Sequence, residues 1–179
     1  MIQLTKIKLV ITDVDGVLTD GSLYYTEQGE AMKRFHVKDG LGIKMLLASG
    51  IKVAVLSGGD SPILRRRIRD LGIPLFQLGK ISKRQACLDL IEQAGVLAEE
   101  TIFLGDDTLD LPAFEVCGIA ATVADAYNYV KARADIVLEQ VGGQGAFREL
   151  SDRILEAQGK ESVYTTADGF MKMAEKMAQ

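Results

Sequence analysis

The chain has 179 residues, of which 47% are hydrophobic and 26% charged, and its net charge is −4, from 21 basic against 25 acidic side chains. That length and mixture suit one soluble domain with a core of its own and exclude a disordered chain. The acidic balance also argues against a grip on nucleic acid, which needs a basic surface. Two cysteines, Cys87 and Cys117, are too few for a disulfide framework or a cysteine-built zinc site, and their apolar neighbours make both of them small core residues. A single histidine, His36, excludes multi-histidine metal sites. The opening MIQLTKIKLV turns acidic without the long apolar core of a signal peptide, and no apolar run reaches the roughly 20 residues of a membrane span, so the expected location is the cytoplasm.

In chain order, Ile7–Thr12 is a β-branched, near-continuous apolar run that reads as a strand buried on both faces. Gly21–His36, with aromatic and alternating residues around Glu27-Gln28-Gly29, reads as a β-hairpin inserted after that strand. Helical spacing over Leu41–Ser49, Pro62–Leu71, Ser82–Ala94 and Asp110–Cys117 is closed each time by a glycine: Gly50, Gly72, Gly95 and Gly118. Asp60-Ser61-Pro62 is a helix start. Further strands are expected at Lys52–Leu56, Leu75–Leu78, Thr101–Leu104, Ile119–Val123 and Ile136–Leu138. Strands that alternate with helices imply an α/β fold: a doubly wound, Rossmann-like parallel sheet with right-handed crossovers. From Lys160 the chain reads as a polar tail, with a short helix over Gly169–Met177 and methionines suited to an adaptable apolar contact. The expected division is a domain over 1–159, with the hairpin at about 21–36, and a tail over 160–179.

Ligands of such a sheet bind outside the carboxyl ends of its strands. Asp13 and Asp15 follow the first strand, Ser57-Gly58-Gly59-Asp60 the second, and Gly105-Asp106-Asp107 with Asp110 the fourth. Carboxylates brought together on one edge repel one another unless a cation lies between them, and an oxygen-only ligand set suits Mg²⁺. A carboxylate-held Mg²⁺ commonly takes a phosphate oxygen, so the implied ligand is phosphorylated. An aspartate beside it can attack phosphorus, a second aspartate two residues on can carry a proton, and a serine and a lysine can hold the equatorial oxygens.

Four segments carry a resemblance. DVDGVLTD (Asp13–Asp20), VAVLSG (Val53–Gly58), a downstream lysine and GDDTLD (Gly105–Asp110) resemble, in order and in place, the motifs of the haloacid dehalogenase superfamily of phosphohydrolases. The resemblance implies Mg²⁺-dependent hydrolysis through an aspartyl-phosphate. Asp13 is then the nucleophile, Asp15 the general acid/base and Ser57 a phosphoryl-binding hydroxyl. Asp106 completes the Mg²⁺ site with the Asp13 carboxylate and the Asp15 backbone carbonyl, with Asp107 and Asp110 behind it. The phosphate lysine is Lys80 or Lys83, and Lys83 is preferred because it opens the helix after the third strand.

The stretches between Asp15 and Ser57 and between Lys83 and Asp106 are too short for a separate cap domain. An open site gains from water exclusion by another body, and a neighbouring subunit is the simplest one. The segments GSLYY, FHVKDGLGIK (Phe35–Lys44), SPILRRRI (Ser61–Ile68), VADA (Val123–Ala126) and GGQGAFRE (Gly142–Glu149) extend the resemblance over nearly the whole chain, to capless members that act on phosphate esters of sugar acids. That branch implies a homotetramer with sites shared between subunits. It also sets His36, Val37, Lys38, Asp39, Gly40, Gly58, Gly59 and Arg67 against the substrate, where a guanidinium can hold the sugar acid's carboxylate. One departure stands out: Gly59 replaces a common arginine, and relatives acting on nine-carbon sugar acid 9-phosphates carry an acidic residue there. Gly59 has neither charge, so both substrate classes stay open, and Arg65 or Arg66 could supply the missing cation. At least one of Arg65, Arg66 and Arg67 is expected on an exposed helix face. GGQG could be an anion-binding nest or a tight loop feeding the last helix, whereas Gly40-Leu41-Gly42 lacks the third glycine of a dinucleotide fingerprint.

A reading from another class is a phospho-acceptor signalling domain, which also joins acids, a hydroxyl, a lysine and Mg²⁺ on a parallel sheet. Such domains place adjacent acids after strand one and the acceptor after strand three. Here Val14 separates the acids, and strand three runs into Gly79-Lys80.

Overall fold

A computed structural model describes residues 3–177; Met1, Ile2, Ala178 and Gln179, which fall within the expected domain and tail, lie outside the described residues. After a single 3₁₀ turn the first apolar run forms β1 (Leu9–Thr12), buried throughout. The hairpin follows as β2 (Tyr24–Thr26) and β3 (Gly29–Met32), an antiparallel pair separate from the main sheet. Then come α1 (Val37–Ala48), β4 (Lys52–Leu56), α2 (Pro62–Leu71), β5 (Leu75–Gln77), α3 (Lys83–Ala94), β6 (Thr101–Gly105), α4 (Leu111–Phe114), β7 (Ile119–Thr122), α5 (Asn128–Lys131), β8 (Ile136–Val137) and α6 (Ala146–Ala157), with α7 (Ser162–Thr165) and α8 (Ala167–Met177) in the tail.

The six-stranded sheet has the order β5-β4-β1-β6-β7-β8, and every neighbouring pair is parallel. This is the doubly wound arrangement expected, and among the described residues no cap domain accompanies it. β1 lies at the switch point: the chain builds outward through β4 on one side and through β6 on the other. A crevice therefore opens at the carboxyl ends of these three strands. α2 forms as its sequence requires, with the Ser61 hydroxyl accepting from the Leu64 amide, Pro62 in the first turn and Gly72 left-handed at φ +69°.

Two helices of the main body depart from expectation. α1 starts at Val37, four residues ahead of Leu41, because His36 caps it through Nδ1, which accepts from the Lys38 amide at 3.3 Å. Gly40 and Gly42 are helix-weakening by propensity, but they let other elements approach: a Cβ on Gly42 would sit 3.1 Å from the Arg148 Cα of α6. The helix expected over Asp110–Cys117 is only α4, preceded by a 3₁₀ turn over Thr108–Asp110. Gly118 is not left-handed, so it is no helix cap. It is needed because a Cβ there would lie 2.5 Å from the Glu99 Cα, where the Gly118 amide donates to Ala98 O at 2.7 Å.

The tail helix begins at Ala167, two residues before Gly169, and buries Met173 against the core, with Met177 packed alongside. Cys87 is buried and Cys117 half-buried, both as free thiols. No helix of the described residues is long and apolar enough to cross a membrane.

Candidate active site

The loop after β1 is shaped by its own backbone. The amides of Val17, Leu18 and Thr19 all donate to Val14 O, at 3.2, 2.9 and 3.0 Å, which folds Asp13–Thr19 into a compact turn over the sheet. Gly16 takes φ +89° and lies so close to Asp106 that any Cβ would strike its carboxylate, so only glycine serves there. Gly142 and Gly143 press on this turn from behind; the Gly143 amide donates to Val17 O at 2.9 Å and the Gly142 amide to Asp125 Oδ1 at 2.9 Å. Both amides are committed inside the protein, so GGQG is the tight loop and not an anion nest.

Asp13, Asp106 and Asp110 each offer a carboxylate oxygen within 4.8 Å of the others. Asp110 is fully buried and fully engaged: Oδ1 accepts from Lys83 Nζ at 2.6 Å, and Oδ2 from the Asp106 and Asp107 amides at 2.8 and 3.2 Å. It therefore anchors the lysine and the loop that carries Asp106. Lys83 Nζ also lies 2.8 Å from Asp13 Oδ2. Of the two candidate lysines, Lys83 is the one inside the site, since its place in the first turn of α3 sends it inward, whereas Lys80 is exposed.

The electrostatics follow from this packing. Burial, then the Asp110 charge, pushes Asp13 up to about 7, against the opposing pull of Lys83 and the Val14 amide. Burial, then Asp110, Asp13 and Asp107, pushes Asp106 up to about 8. Asp106 Oδ1 is buried and has no hydrogen-bond partner. A buried, orphaned carboxylate oxygen next to a second crowded carboxylate is a place for a cation, and an all-oxygen set fits Mg²⁺.

Ser57 is buried at the end of β4, where its amide donates to Gln77 O at 3.0 Å and its Oγ accepts from the Gly59 amide at 3.1 Å. The Asp15 Oδ1 is 2.6 Å from Lys33 Nζ. Gly59 borders both: a Cβ there would sit 3.3 Å from Asp15 Oδ2 and 3.6 Å from Ser57 Oγ. Asp107 is exposed, capping Thr108 and accepting from the Tyr129 hydroxyl at 3.1 Å.

Most of the remaining expected substrate contacts gather around Arg67. Arg67 lies over the Phe35 ring at 5.3 Å and against Gly40, near Leu18. Asp39 is buried and pushed up by burial, its Oδ1 accepting from the Arg148 amide at 2.9 Å. Val37 and Lys38 are exposed. Among the described residues, no hydrogen bond or ion pair joins His36–Gly40 or Arg67 to Asp13, Asp15 or Asp106. Arg65 is held by Asp60 through two bonds of 2.7 and 2.6 Å, and Arg66 by Asp70, so those two guanidinium groups lie on the exposed helix face. Lys33 escaped the sequence reading altogether. It lies at the end of a hairpin strand, where a lysine is ordinarily solvated, and no local pattern marks it.

Comparison with known proteins agrees with this geometry. Residues 78–150 match the model of the haloacid dehalogenase-like hydrolases. The 3-deoxy-D-manno-octulosonate 8-phosphate phosphatase of Haemophilus influenzae is 64% identical over 177 residues, covering 99% of this chain and 98% of its own. A solved cobalt-bound form of that phosphatase from H. influenzae superposes with a TM-score of 0.93 at 65% identity, covering 94% of this chain and 99% of its own. The phosphatase of the same name from Moraxella catarrhalis, solved in complex with magnesium, phosphate and 3-deoxy-D-manno-octulosonate (KDO), superposes at 0.87 with 34% identity, over 96% of this chain and 95% of its own.

Proposed function

The chain belongs to the haloacid dehalogenase-like hydrolases, among the KDO 8-phosphate phosphatases, and from that premise we propose how its own residues perform the reaction. The reaction is hydrolysis of KDO 8-phosphate to KDO and inorganic phosphate, which serves lipopolysaccharide precursor synthesis. Mg²⁺, when bound, neutralises the phosphoryl oxygens so that a carboxylate can approach them. Asp13 and Asp106 would hold it with the Asp15 backbone carbonyl; the single observation that carries this assignment is the buried, unpartnered Asp106 Oδ1 facing the crowded Asp13.

Asp13 attacks phosphorus. A bond forms from its carboxylate oxygen, the ester bond to the sugar breaks, and Asp15 delivers a proton to the departing alkoxide. Asp15, now ionised, takes a proton from the water that attacks the aspartyl-phosphate, and phosphate leaves with Asp13 restored. Ser57 and Lys83 hold the equatorial oxygens, with Asp110 fixing the lysine. Gly58, Gly59, Arg67 and His36–Gly40 are assigned to the sugar acid. With no hydrogen bond or ion pair tying His36–Gly40 or Arg67 to the carboxylates among the described residues, a neighbouring subunit's copy of these residues is the simplest source of the sugar contacts. A homotetramer is supported by the hairpin, which is too small to be stable alone and leaves Leu23, Tyr25 and Met32 exposed. The cytoplasm is the assigned location. KDO 8-phosphate is favoured over a nine-carbon sugar acid 9-phosphate by the 64% identity to a phosphatase named for the former.

The test is phosphate release from both sugar acid phosphates by the wild type and by Asp13→Asn, with sedimentation to follow assembly. The variant is expected to lose turnover by about 10⁴-fold or more, as removal of a covalent nucleophile does, and to keep fold and assembly. Turnover within tenfold of the wild type would dismiss Asp13 as nucleophile. Preference for the nine-carbon ester would reassign the substrate and leave the hydrolytic site standing.

A further inference from the structure

Lys33 is the one cation of the hairpin that is taken out of water, its side chain 6% exposed, and it sits between two carboxylates. Its Nζ lies 2.6 Å from Asp15 Oδ1 and 2.9 Å from Glu30 Oε1 of β3. A lysine at the end of a two-stranded hairpin loses solvation by this arrangement and recovers it only through the charges it meets. Arg34, its neighbour in sequence, stays half-exposed on Asp20 by contrast. The bond is asymmetric at Asp15. Lys33 takes Oδ1, while Oδ2 lies over Gly59, on the side where Ser57 Oγ stands. With one oxygen pinned by a short charge-assisted bond, the carboxylate cannot turn about its last torsion without breaking it, so the free oxygen keeps its aim into the crevice.

We propose that Lys33 is a positioning residue for the reaction: it pins Asp15 so that Oδ2 faces the leaving-group oxygen, and it ties the hairpin to the proton-transfer step. The inference rests on the reading of Asp15 as general acid/base. It adds what that reading lacks, a reason why an aspartate whose side chain is 35% exposed should hold one orientation. It also explains Glu30, whose partnership with Lys33 keeps the lysine from swinging to solvent and fixes the height of β3 over the active-site loop.

The experiment compares KDO 8-phosphate with p-nitrophenyl phosphate, whose leaving group departs without a proton, in Lys33→Met. General acid catalysis contributes about 10²–10⁴-fold, and misaligning the acid should forfeit part of it: kcat on KDO 8-phosphate is expected to fall by roughly 10- to 100-fold with KM nearly unchanged. On the aryl ester the fall in kcat/KM, which ends at phosphoryl transfer to Asp13 and so omits the water step that Asp15 also serves, should stay within about twofold, and the two esters are compared in kcat/KM. Lys33→Arg, which keeps a charged donor for Oδ1, is expected to restore the wild-type ratio of the two rates. Should the methionine variant fail to fold, Lys33→Gln is read in the same way. Equal losses on the two esters would mean that Lys33 only anchors the hairpin and would overturn the proposal, as would an unchanged rate on KDO 8-phosphate. Asp15→Asn is the control on the same two esters: a loss there confined to KDO 8-phosphate, together with an unchanged ester ratio in Lys33→Met, sinks this inference alone, whereas equal losses in Asp15→Asn sink the reading beneath it.

Discussion

Lys83 is the residue on which the stability and chemistry of the site meet, and Lys83→Met tests both. The substitution keeps an unbranched stem of similar volume and removes the ammonium. In the wild type, burial works against the lysine's charge, but the Asp13 and Asp110 charges and hydrogen bonds outweigh it and hold Lys83 above its ordinary value. That stabilisation is present below the unfolded lysine value of about 10.4 and so spans the whole range of a phosphatase assay. Without Lys83, Asp13, Asp106 and Asp110 remain within 4.8 Å of one another with no cation among them. Breaking a buried pair by removing one partner costs about 3–5 kcal/mol. A domain of this size loses about 2–4 °C of melting temperature per kcal/mol, so the melting point in EDTA should fall on the order of 6–20 °C. The loss should be graded by pH. Below about pH 6 the crowded carboxyls, already raised in the wild type, take up protons and relieve their repulsion, so the deficit is largest near pH 8.5. Phosphate release at saturating Mg²⁺ should drop by about 10²–10³-fold, the usual cost of one preorganised electrostatic group. Thermal unfolding at pH 6 and 8.5, with and without EDTA, is the assay. A melting point within about 2 °C of the wild type at pH 8.5 would show that the buried triad is not what the distances say, and the reasoning would fail with it.

Two more outcomes follow from the same site. Because Asp13 and Asp106 are raised in the folded state to about 7 and 8, the metal-free protein binds protons that the unfolded chain has released; their contribution to stability therefore declines as pH rises from about 4 to 8. Mg²⁺ competes with those protons, so the rise in melting temperature that it produces should grow from pH 6 to pH 8.5, and a constant or shrinking rise would contradict the placement of the cation between these two carboxylates. Gly59→Arg adds a guanidinium to the loop that borders Asp15 and Ser57, where a Cβ fits 3.3 Å from Asp15 Oδ2 with small adjustment. KM for KDO 8-phosphate is expected to fall by roughly tenfold, the scale of one charge-assisted bond, while esters without a carboxylate keep theirs; an equal change for both would show that position 59 does not read the sugar acid.

Much of this molecule is legible along the chain. Buried runs rich in β-branched residues such as Leu9–Thr12 have no face to give to water, so they read as central parallel strands, and the residues directly after them lie at the crevice. For that reason Asp13, Asp15, Ser57 and Asp106 are all expected at one crevice from the sequence alone. Local chemistry also sets the start and stop of α2 from Ser61, Pro62 and Gly72.

Tertiary structure decided what depends on direction and on distant neighbours. Lys83 is preferred over Lys80 along the chain because it opens a helix, and the packing of α3 over the sheet then brings its Nζ to Asp13 while Lys80 meets solvent. Gly118 reads as a helix stop, yet it is glycine because the Glu99 backbone from a different segment occupies the place of its side chain. Asp110 reads only as a residue behind the metal site, and what it does there comes from the packing: both its oxygens are taken by Lys83 and two amides, which makes it the support of the site. Lys33 meets Asp15 only because the hairpin folds back over the first loop. Patterns of period and punctuation record how each segment meets water; which charge meets which across the fold is a property of the packed chain.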